Sequence, residues 1–569
     1  MSADLIAYPA TDEFIFSMET KRHIFDACVK AVRNYMVAGV EPDCSCIELP
    51  RSERVNITLR GRGVLRASMS GDGDTLGSQL SNAVYRACLD DRFGALTMSD
   101  FNGLTVEVWI QLDSEPVPLE QRANEPTLVA GIYGVEARWG DAFAYYKPSV
   151  ALTSKFANSS ALLAGLCRKA GLFADAWRES PCEIRKTTWM HLCQDVHGHM
   201  VELEGMRRIR SEPLSREVLL TAVNAGATFL LSNQRADGSY CYLYDALENK
   251  GGNHKANTVR AAGCAYAMAR AQQFVSGELE PGVTRSANRA IKALISRTAP
   301  WSGAGLIVYE EGDGELWGKL GSTALTAVAL LVQGDDVHRS NVLPSLIHSL
   351  RSAQGSDGMF ECYFGRNIDP GKAIDFFPGE ALLALAISGE QGDEESFASC
   401  KRAFCGYRNH FRSSPSSAFV GWHVDVWSRL TRSLKMEEYA EFVFEQLDWI
   451  LPYQLVSHIE APLHGGFAID GKRPNVSSTV YTEAAIRGAA LAKDLGFTER
   501  WRRYAASAQA GLQFCMQLQL TASEYSFFRH PHRALGGITS NLCSFEIRAD
   551  HVQHMLTMAI EGLGCKELI

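Results

Sequence analysis

The strongest chemical candidate in the chain is Glu546-Ile-Arg548-Ala-Asp550-His551-Val-Gln-His554, at the start of the last helix-forming stretch. On a helix, His551 and His554 are three residues apart and Asp550 and His554 four. His554 can therefore approach both while Arg548 fixes an anionic neighbour. Imidazoles titrate near neutral pH, so such a cluster can move protons. Its counterpart is expected from Glu380 or Glu483. Asp375-Phe-Phe-Pro-Gly-Glu380 ends an extended segment and begins an apolar helix, with Pro378 suited to the first turn and Glu380 near the positive dipole end. Tyr481-Thr-Glu483 begins another helix. Spacing does not assign acid and base. Asp550, His551 and His554 would also offer three ligands to a divalent metal, but His-x-x-His is a common spacing and no Glu stands in a zincin arrangement. No metal or other cofactor is expected.

Binding residues are sought beside the same helix entrances. Asn253-His254-Lys-Ala-Asn-Thr-Val-Arg260 precedes a small-residue helix and places an imidazole and a guanidinium where a carboxylate, phosphate or hydroxyl can be met by charge and backbone donors. Tyr309-Glu310-Glu311 with Lys319, and Asp375, resemble further rim groups. In Trp422-His423-Val-Asp425-Val-Trp427, helical spacing puts His423 with Trp427 on one face and Trp422 with Asp425 on another, so not all of them can face one cavity. Aromatic platforms beside ionisable groups suit sugar rings or a carbocation. Caps, surface charges and core packing are the competing explanations for each of these residues.

The elements that position these groups announce themselves by repetition. Gln234-Arg-Ala-Asp-Gly-Ser-Tyr240 and Gln354-Gly-Ser-Asp-Gly-Met-Phe360 share Gln, Asp, Gly and an aromatic at identical offsets. Weaker echoes pair Gln454 with Gly465-Gly466-Phe467 and Gln519 with Gly536-Gly537-Ile538. A helix-terminal Gln can bond free carbonyls, Asp-Gly supplies a turn, and the aromatic tucks back between helices. These repeats resemble those of alpha/alpha toroids, the architecture of squalene cyclases, protein prenyltransferases and many sugar-active enzymes. Twelve helical stretches, beginning near 215, 258, 283, 321, 341, 378, 393, 420, 436, 480, 498 and 549, make six hairpins. An (alpha/alpha)6 barrel over 214–569 is expected, after an alpha plus beta domain over 1–205 and a polar junction over 206–213.

In the N-terminal domain, Val55-Asn-Ile-Thr-Leu59 and Leu104-Thr-Val-Glu-Val-Trp-Ile110 read as strands, and Leu80 to Leu89 as an amphipathic helix. Arg62-Gly-Val-Leu-Arg66, Asp90-Asp-Arg-Phe93, the strand that follows, and Leu166-Cys-Arg-Lys-Ala-Gly-Leu172 resemble, in order, the AMMECR domain over roughly residues 20 to 200. That resemblance implies a compact mixed-sheet fold. The family usually continues the Leu-Arg phrase as Gly-Cys-Ile-Gly, whereas Ala67-Ser68-Met69-Ser70 stands here. A serine without an adjacent base is a far weaker nucleophile than a thiol, so the domain reads as structural or regulatory. Gly71-Asp-Gly-Asp-Thr75 resembles the aspartate-rich motif of class II terpene cyclases but falls in the wrong domain, on a surface turn.

Composition narrows the rest. The 569 residues carry 46% hydrophobic and 21% charged side chains and a net charge of -9, with pI near 6.0. That balance argues against nucleic acid or an anionic membrane as partner. The N-terminus has neither a charged nor an apolar leader region, so a cytoplasmic location is expected. Fifteen cysteines, an odd number in mostly apolar contexts, suit reduced thiols, and Cys44-Ser-Cys46 has no second pair at ligand spacing. The zinc ligand patterns of prenyltransferases and lanthipeptide-type cyclases are absent. The combined reading is a two-domain enzyme whose domains dock on one another and whose toroid cavity performs epimerisation, elimination or hydrolysis on a saccharide-like small molecule. Metal-independent, terpenoid-like cyclisation or group transfer is one alternative, and a non-catalytic ligand- or peptide-binding scaffold is another.

Overall fold

The computed structural model describes residues 16–122, 128, 131–208, 213–252, 257–310, 316–333, 336–366, 368–456, 461–565 and 568. Its N-terminal domain is a seven-stranded sheet in the order β2-β1-β3-β6-β4-β5, with β7 paired to β6. The strands are β1 (Val55–Gly61), β2 (Val64–Gly71), β3 (Leu104–Pro116), β4 (Gly134–Trp139), β5 (Ala142–Tyr146), β6 (Glu183–Gln194) and β7 (Met200–Glu204). Every ladder is antiparallel, so the mixed sheet implied by the resemblance is here an antiparallel one. Alternation along β1 sorts the two faces. Val55, Ile57 and Leu59 bury against helices α1 (Met18–Ala38) and α2 (Leu76–Cys88), whereas Asn56, Thr58 and Arg60 face the other way. Two further helices, α3 (Pro148–Thr153) and α4 (Ser159–Lys169), cover the β4–β5 end.

From Arg216 onward the chain alternates between two rings of helices. The hairpins are α5 (Arg216–Ser232) with α6 (Thr258–Ala271), and α7 (Leu279–Ile295) with α8 (Leu320–Gln333). After the short α9 (Asp336–Asn341) come α10 (Leu343–Ser352) with α11 (Phe377–Glu390), and α12 (Glu394–Ser413) with α13 (Ser417–Leu434). Then follow α14 (Glu437–Ile450) with α15 (Ser478–Asp494), and α16 (Thr498–Gln517), the short α17 (Pro531–Ala534) and α18 (Ala549–Gly564). Helices α6, α8, α11, α13, α15 and α18 pack in that order, and α18 packs back on α6, which closes the ring. Composition explains the partition. Leu320 to Leu331 of α8 and Pro378 to Gly389 of α11 are buried on all sides, as helices enclosed by a second ring must be. Outer helices such as α7 and α12 bury one stripe only. The chain is thus an alpha plus beta domain followed by an (alpha/alpha)6 toroid.

The repeated Gln-Gly phrase staples the outer ring. Gln234, Gln354, Gln454 and Gln519 each donate from Nε2 to the carbonyl of the turn glycine and to a carbonyl of the next outer helix: Ser286, Ser399, Ser507 and Ala222 respectively. The last of these ties α16 to α5 and completes the circle. The turn glycines 238, 358, 465 and 536 have φ between 82° and 89°. At Gly358 a Cβ would stand 2.2 Å from the Arg402 carbonyl oxygen. Gly358→Ala should therefore cost ~2–4 kcal/mol, from left-handed backbone strain plus displacement of α12. Thermal unfolding checks this; an unchanged midpoint would show the turn to be decorative.

The domains dock directly. Arg207, expected in a polar junction, is fully buried in the toroid loop 539–545. Its Nε donates to Leu542 O at 3.2 Å and its Nη2 to Thr539 Oγ1 at 3.0 Å, with the guanidinium 4.3 Å from the Phe545 ring centroid. Lys155 reaches Asp245 at 2.7 Å, and the β1–β2 turn at Gly63 lies against the Phe528 backbone. None of the fifteen cysteines is joined in a disulfide. Among the described residues no helix is long and apolar enough to cross a membrane.

Candidate active site

Because each hairpin brings the chain along an outer helix and back along an inner one, the six inner helices point the same way. Their first turns enclose a cavity of about 500 Å³. Helix α6 contributes Asn257, whose side chain caps the helix at the Arg260 amide, and Arg260 itself; Lys319 precedes α8; Phe376, Phe377 and Glu380 come from the start of α11. Helix α13 adds Ser417 and Trp422, α15 adds Ser477 and Tyr481, and α18 adds Arg548, Asp550, His551 and His554. Six helix N-termini converging on one space create a positive field before any side chain is counted. Among the described residues, none before Asn257 lines the cavity.

Within it, Asp550 is a clamped carboxylate. Arg548 Nε donates to Asp550 Oδ1 at 3.0 Å and Arg260 Nε lies 3.2 Å from Oδ2. Burial opposes ionisation, but the two guanidinium groups hold the carboxyl below its ordinary value. Glu380 is the opposite case. It is 3% exposed, its Oε2 has no hydrogen-bond partner, and burial pushes it up to about 7 against the pull of Arg260. Its carboxyl rests on Gly321 of α8, where a Cβ would stand 2.1 Å from Oε2. Burial also holds both imidazoles neutral at pH 7, His551 down to about 3 and His554 down to about 4. His551 Nδ1 is buried and unpartnered, and the His554 ring centroid lies 6.1 Å from that of Trp422.

Several expected site residues lie elsewhere. Glu483 is below the cavity, accepting from Arg487 Nη2 at 3.0 Å and Thr557 Oγ1 at 2.8 Å, so it belongs to a buried ion network. His423 is fully buried between the rings of helices, its ring stacked 3.5 Å from Phe419. The two-face reading of that helix is what separates it from Trp422. Asp375 pairs with His410 at 2.9 Å in the turn before α11 and lines no part of the cavity. Tyr309 is bridged to Gly318, and Glu310 holds the cavity residue Lys319 at 3.0 Å rather than lining the space itself. His254 lies outside the described residues, as do 209–212 of the junction. Among the described residues, no three His, Cys, Asp or Glu side chains converge as metal ligands. Polar lining residues not singled out by sequence reasoning include Lys372, Ser417 and Ser477. The signal that finds the two serines is position, at the entrances of α13 and α15.

A ring of six hairpins with an ionic, aromatic-walled cavity at the N-terminal ends of its inner helices makes the larger part of this protein an (alpha/alpha)6 toroid. The smaller part matches the AMMECR1 family model over residues 28–188. Among solved structures, the chain is similar to an uncharacterised protein from Pyrococcus horikoshii at 22% identity, over 34% of this chain and 100% of that one, with a TM-score of 0.30. It is similar to a D-mannose isomerase at 13% identity, over 62% and 100% of the two chains, with a TM-score of 0.46. For the cellobiose 2-epimerase from Spirochaeta thermophila DSM 6192 the identity is 14%, over 61% and 96%, with a TM-score of 0.45. No curated protein matches the sequence.

Proposed function

We propose that the toroid cavity performs acid–base chemistry on a saccharide-like substrate, with Glu380 as the group that exchanges the proton. The observation that carries this reading is a buried carboxyl with one unpartnered oxygen and a pKa of about 7, in a cavity shared with two neutral histidines. A group titrating near the working pH is suited to give and take protons. His551, with Nδ1 free, and His554 are the partners that orient hydroxyls or return the proton. Trp422, Tyr481, Phe376 and Phe377 offer ring faces to the apolar side of a sugar, and Arg260, Arg548, Lys319 and Lys372 offer donors to its oxygens. Epimerisation, elimination and hydrolysis all need this proton exchange. Cyclisation through a carbocation is disfavoured by the same rim, because its four cationic side chains outnumber the Asp550 and Glu310 carboxylates that pair with three of them.

The test is incubation of the protein in D2O with a panel of free aldoses, uronic acids and disaccharides, followed by proton NMR. Loss of a proton signal next to a carbonyl indicates epimerisation or elimination, and a new anomeric signal without that loss indicates hydrolysis. His551→Ala should slow whichever reaction is found about 100-fold or more. Sugar binding without any exchange or cleavage would leave a recognition surface and remove the enzymatic reading.

A further inference from the structure

The polar face of the N-terminal sheet carries a second constellation, remote in sequence and separate from the toroid cavity. Ser68 on the edge strand β2 is partly exposed, and its Oγ lies 3.2 Å from Nζ of Lys147, which follows β5 and is 9% exposed. Lys147 Nζ also contacts Asn56 Oδ1 at 2.7 Å and Thr58 Oγ1, and stands 5.0 Å from the Trp109 ring centroid. The three N–H bonds of the ammonium go to Asn56 Oδ1, Thr58 Oγ1 and Ser68 Oγ, and the Ser68 hydroxyl donates to Asn56 Oδ1 at 3.2 Å; loss of the proton directed at Ser68 leaves the nitrogen lone pair facing its Oγ. The adjacent base that the sequence alone did not offer Ser68 is therefore supplied by the fold.

We propose that Ser68 and Lys147 form a nucleophile–base pair that accepts an acyl group from an ester or thioester. Ser68 Oγ attacks the carbonyl carbon while its proton passes to Lys147 Nζ. The tetrahedral adduct collapses, the carbon–leaving-group bond breaks, and the departing alcohol or thiol takes that proton. Water, deprotonated by the same amine, then releases the acid and restores the hydroxyl, so ester and water give acid and alcohol. Arg92, half-exposed, with Nη2 3.3 Å from the Ser68 carbonyl, places positive charge on the open side. Burial pushes the Lys147 amine down to about 7. The charged groups around it are Glu107 on β3, which favours the ammonium, and Arg60 on β1 and His191 on β6, both bound to Glu107. Asp90 is taken up by Arg92 and by the Ser68 amide.

The experiment is labelling of the full-length protein with a fluorophosphonate, in which an Oγ–phosphorus bond forms, fluoride leaves, and the proton departs through Lys147. One adduct per chain, mapped to Ser68 by mass spectrometry, absent from Ser68→Ala and formed at least 10-fold more slowly in Lys147→Met, is the expected result. Its rate should rise as pH passes through about 7. No adduct at Ser68, or equal labelling of Lys147→Met, overturns the proposal. If Lys147→Met does not fold, Ser68→Cys decides: alkylation by iodoacetamide should have its midpoint well below the ordinary thiol value of about 8.5, and a midpoint at or above that value overturns it. Ser68→Ala leaves the toroid reaction untouched, so the two sites are read independently.

Discussion

Glu380→Gln should yield a protein that is inactive in the toroid and more stable than the parent at alkaline pH. Amide for carboxyl keeps the shape that rests on Gly321 but removes the proton, and loss of a positioned acid or base costs about 10²–10⁴-fold in turnover. The stability effect follows from linkage. Burial raises the Glu380 carboxyl from 4.5 to about 7, so the folded protein keeps a proton that the unfolded chain has already lost. Its contribution is intact below pH 4.5, is lost as pH rises through about 7, and amounts to a penalty on the order of 3 kcal/mol once both states are ionised. Thermal midpoints of the two proteins should therefore coincide near pH 4 and diverge by pH 8 in favour of the variant. His551 and His554 add a pH dependence of their own in this window, because the unfolded imidazoles take up protons near 6.5 that the buried ones do not, but parent and variant share it and it cancels in the difference. A variant that keeps full turnover would remove Glu380 from the chemistry, whereas equal stability at pH 8 would show that the parent carboxyl is solvated.

Arg487→Met should be the most destabilising single change in the toroid. Arg487 is central to an ion network near the C-terminal ends of the inner helices. It contacts Asp425, Glu483 at 3.0 Å and Glu561 at 2.8 Å. Arg270 reaches Glu561 at 2.6 Å, and Arg429 bridges Asp425 at 2.9 Å and Glu390 at 3.0 Å. The arginines hold Glu561 down to about 2 although burial opposes it. Met fills much the same volume but leaves carboxylates facing one another in low dielectric. Breaking a buried pair from one side typically costs ~3–5 kcal/mol. The toroid transition in thermal unfolding should fall by roughly 5–10 °C. Glu483→Gln in the same background should recover part of the loss, because one of the stranded charges is gone. An unchanged midpoint for Arg487→Met would mean that water already screens the network.

The sequence marked Glu380 and Glu483 as polar groups in apolar helices and did not single out Arg487, and their roles separate only in three dimensions. Glu380 and Glu483 look alike as carboxylates near the starts of inner helices, in the first turn of α11 and the second turn of α15. One faces the cavity without a partner; the other is neutralised from α15 itself by Arg487, one turn along. Trp422 and His423 are adjacent in the chain, and the helical period alone already assigns them to opposite faces. Which face looks into the barrel depends on Phe419 and Tyr407 packing behind His423. His551, His554, Asp550 and Arg548 were legible together because they lie within one helix entrance.

By itself the sequence determined the periodic elements: twelve toroid helices, the Gln-Gly turns between them, and the alternation that gives β1 a core face and a polar face. These depend on local rules, on helical spacing, on turn chemistry and on side chains alternating across a strand. Only the tertiary structure decided which polar groups meet. The Gln519 staple crosses 297 residues to Ala222, and Lys147 reaches Ser68 across 79. Closing the helical ring, and curling the sheet until its β5 end meets its β2 end, create those meetings, and burial then shifts Glu380, His551 and Lys147 from their ordinary protonation. Desolvation is a property of everything that surrounds a group, so no stretch of chain around any one of these residues encodes it.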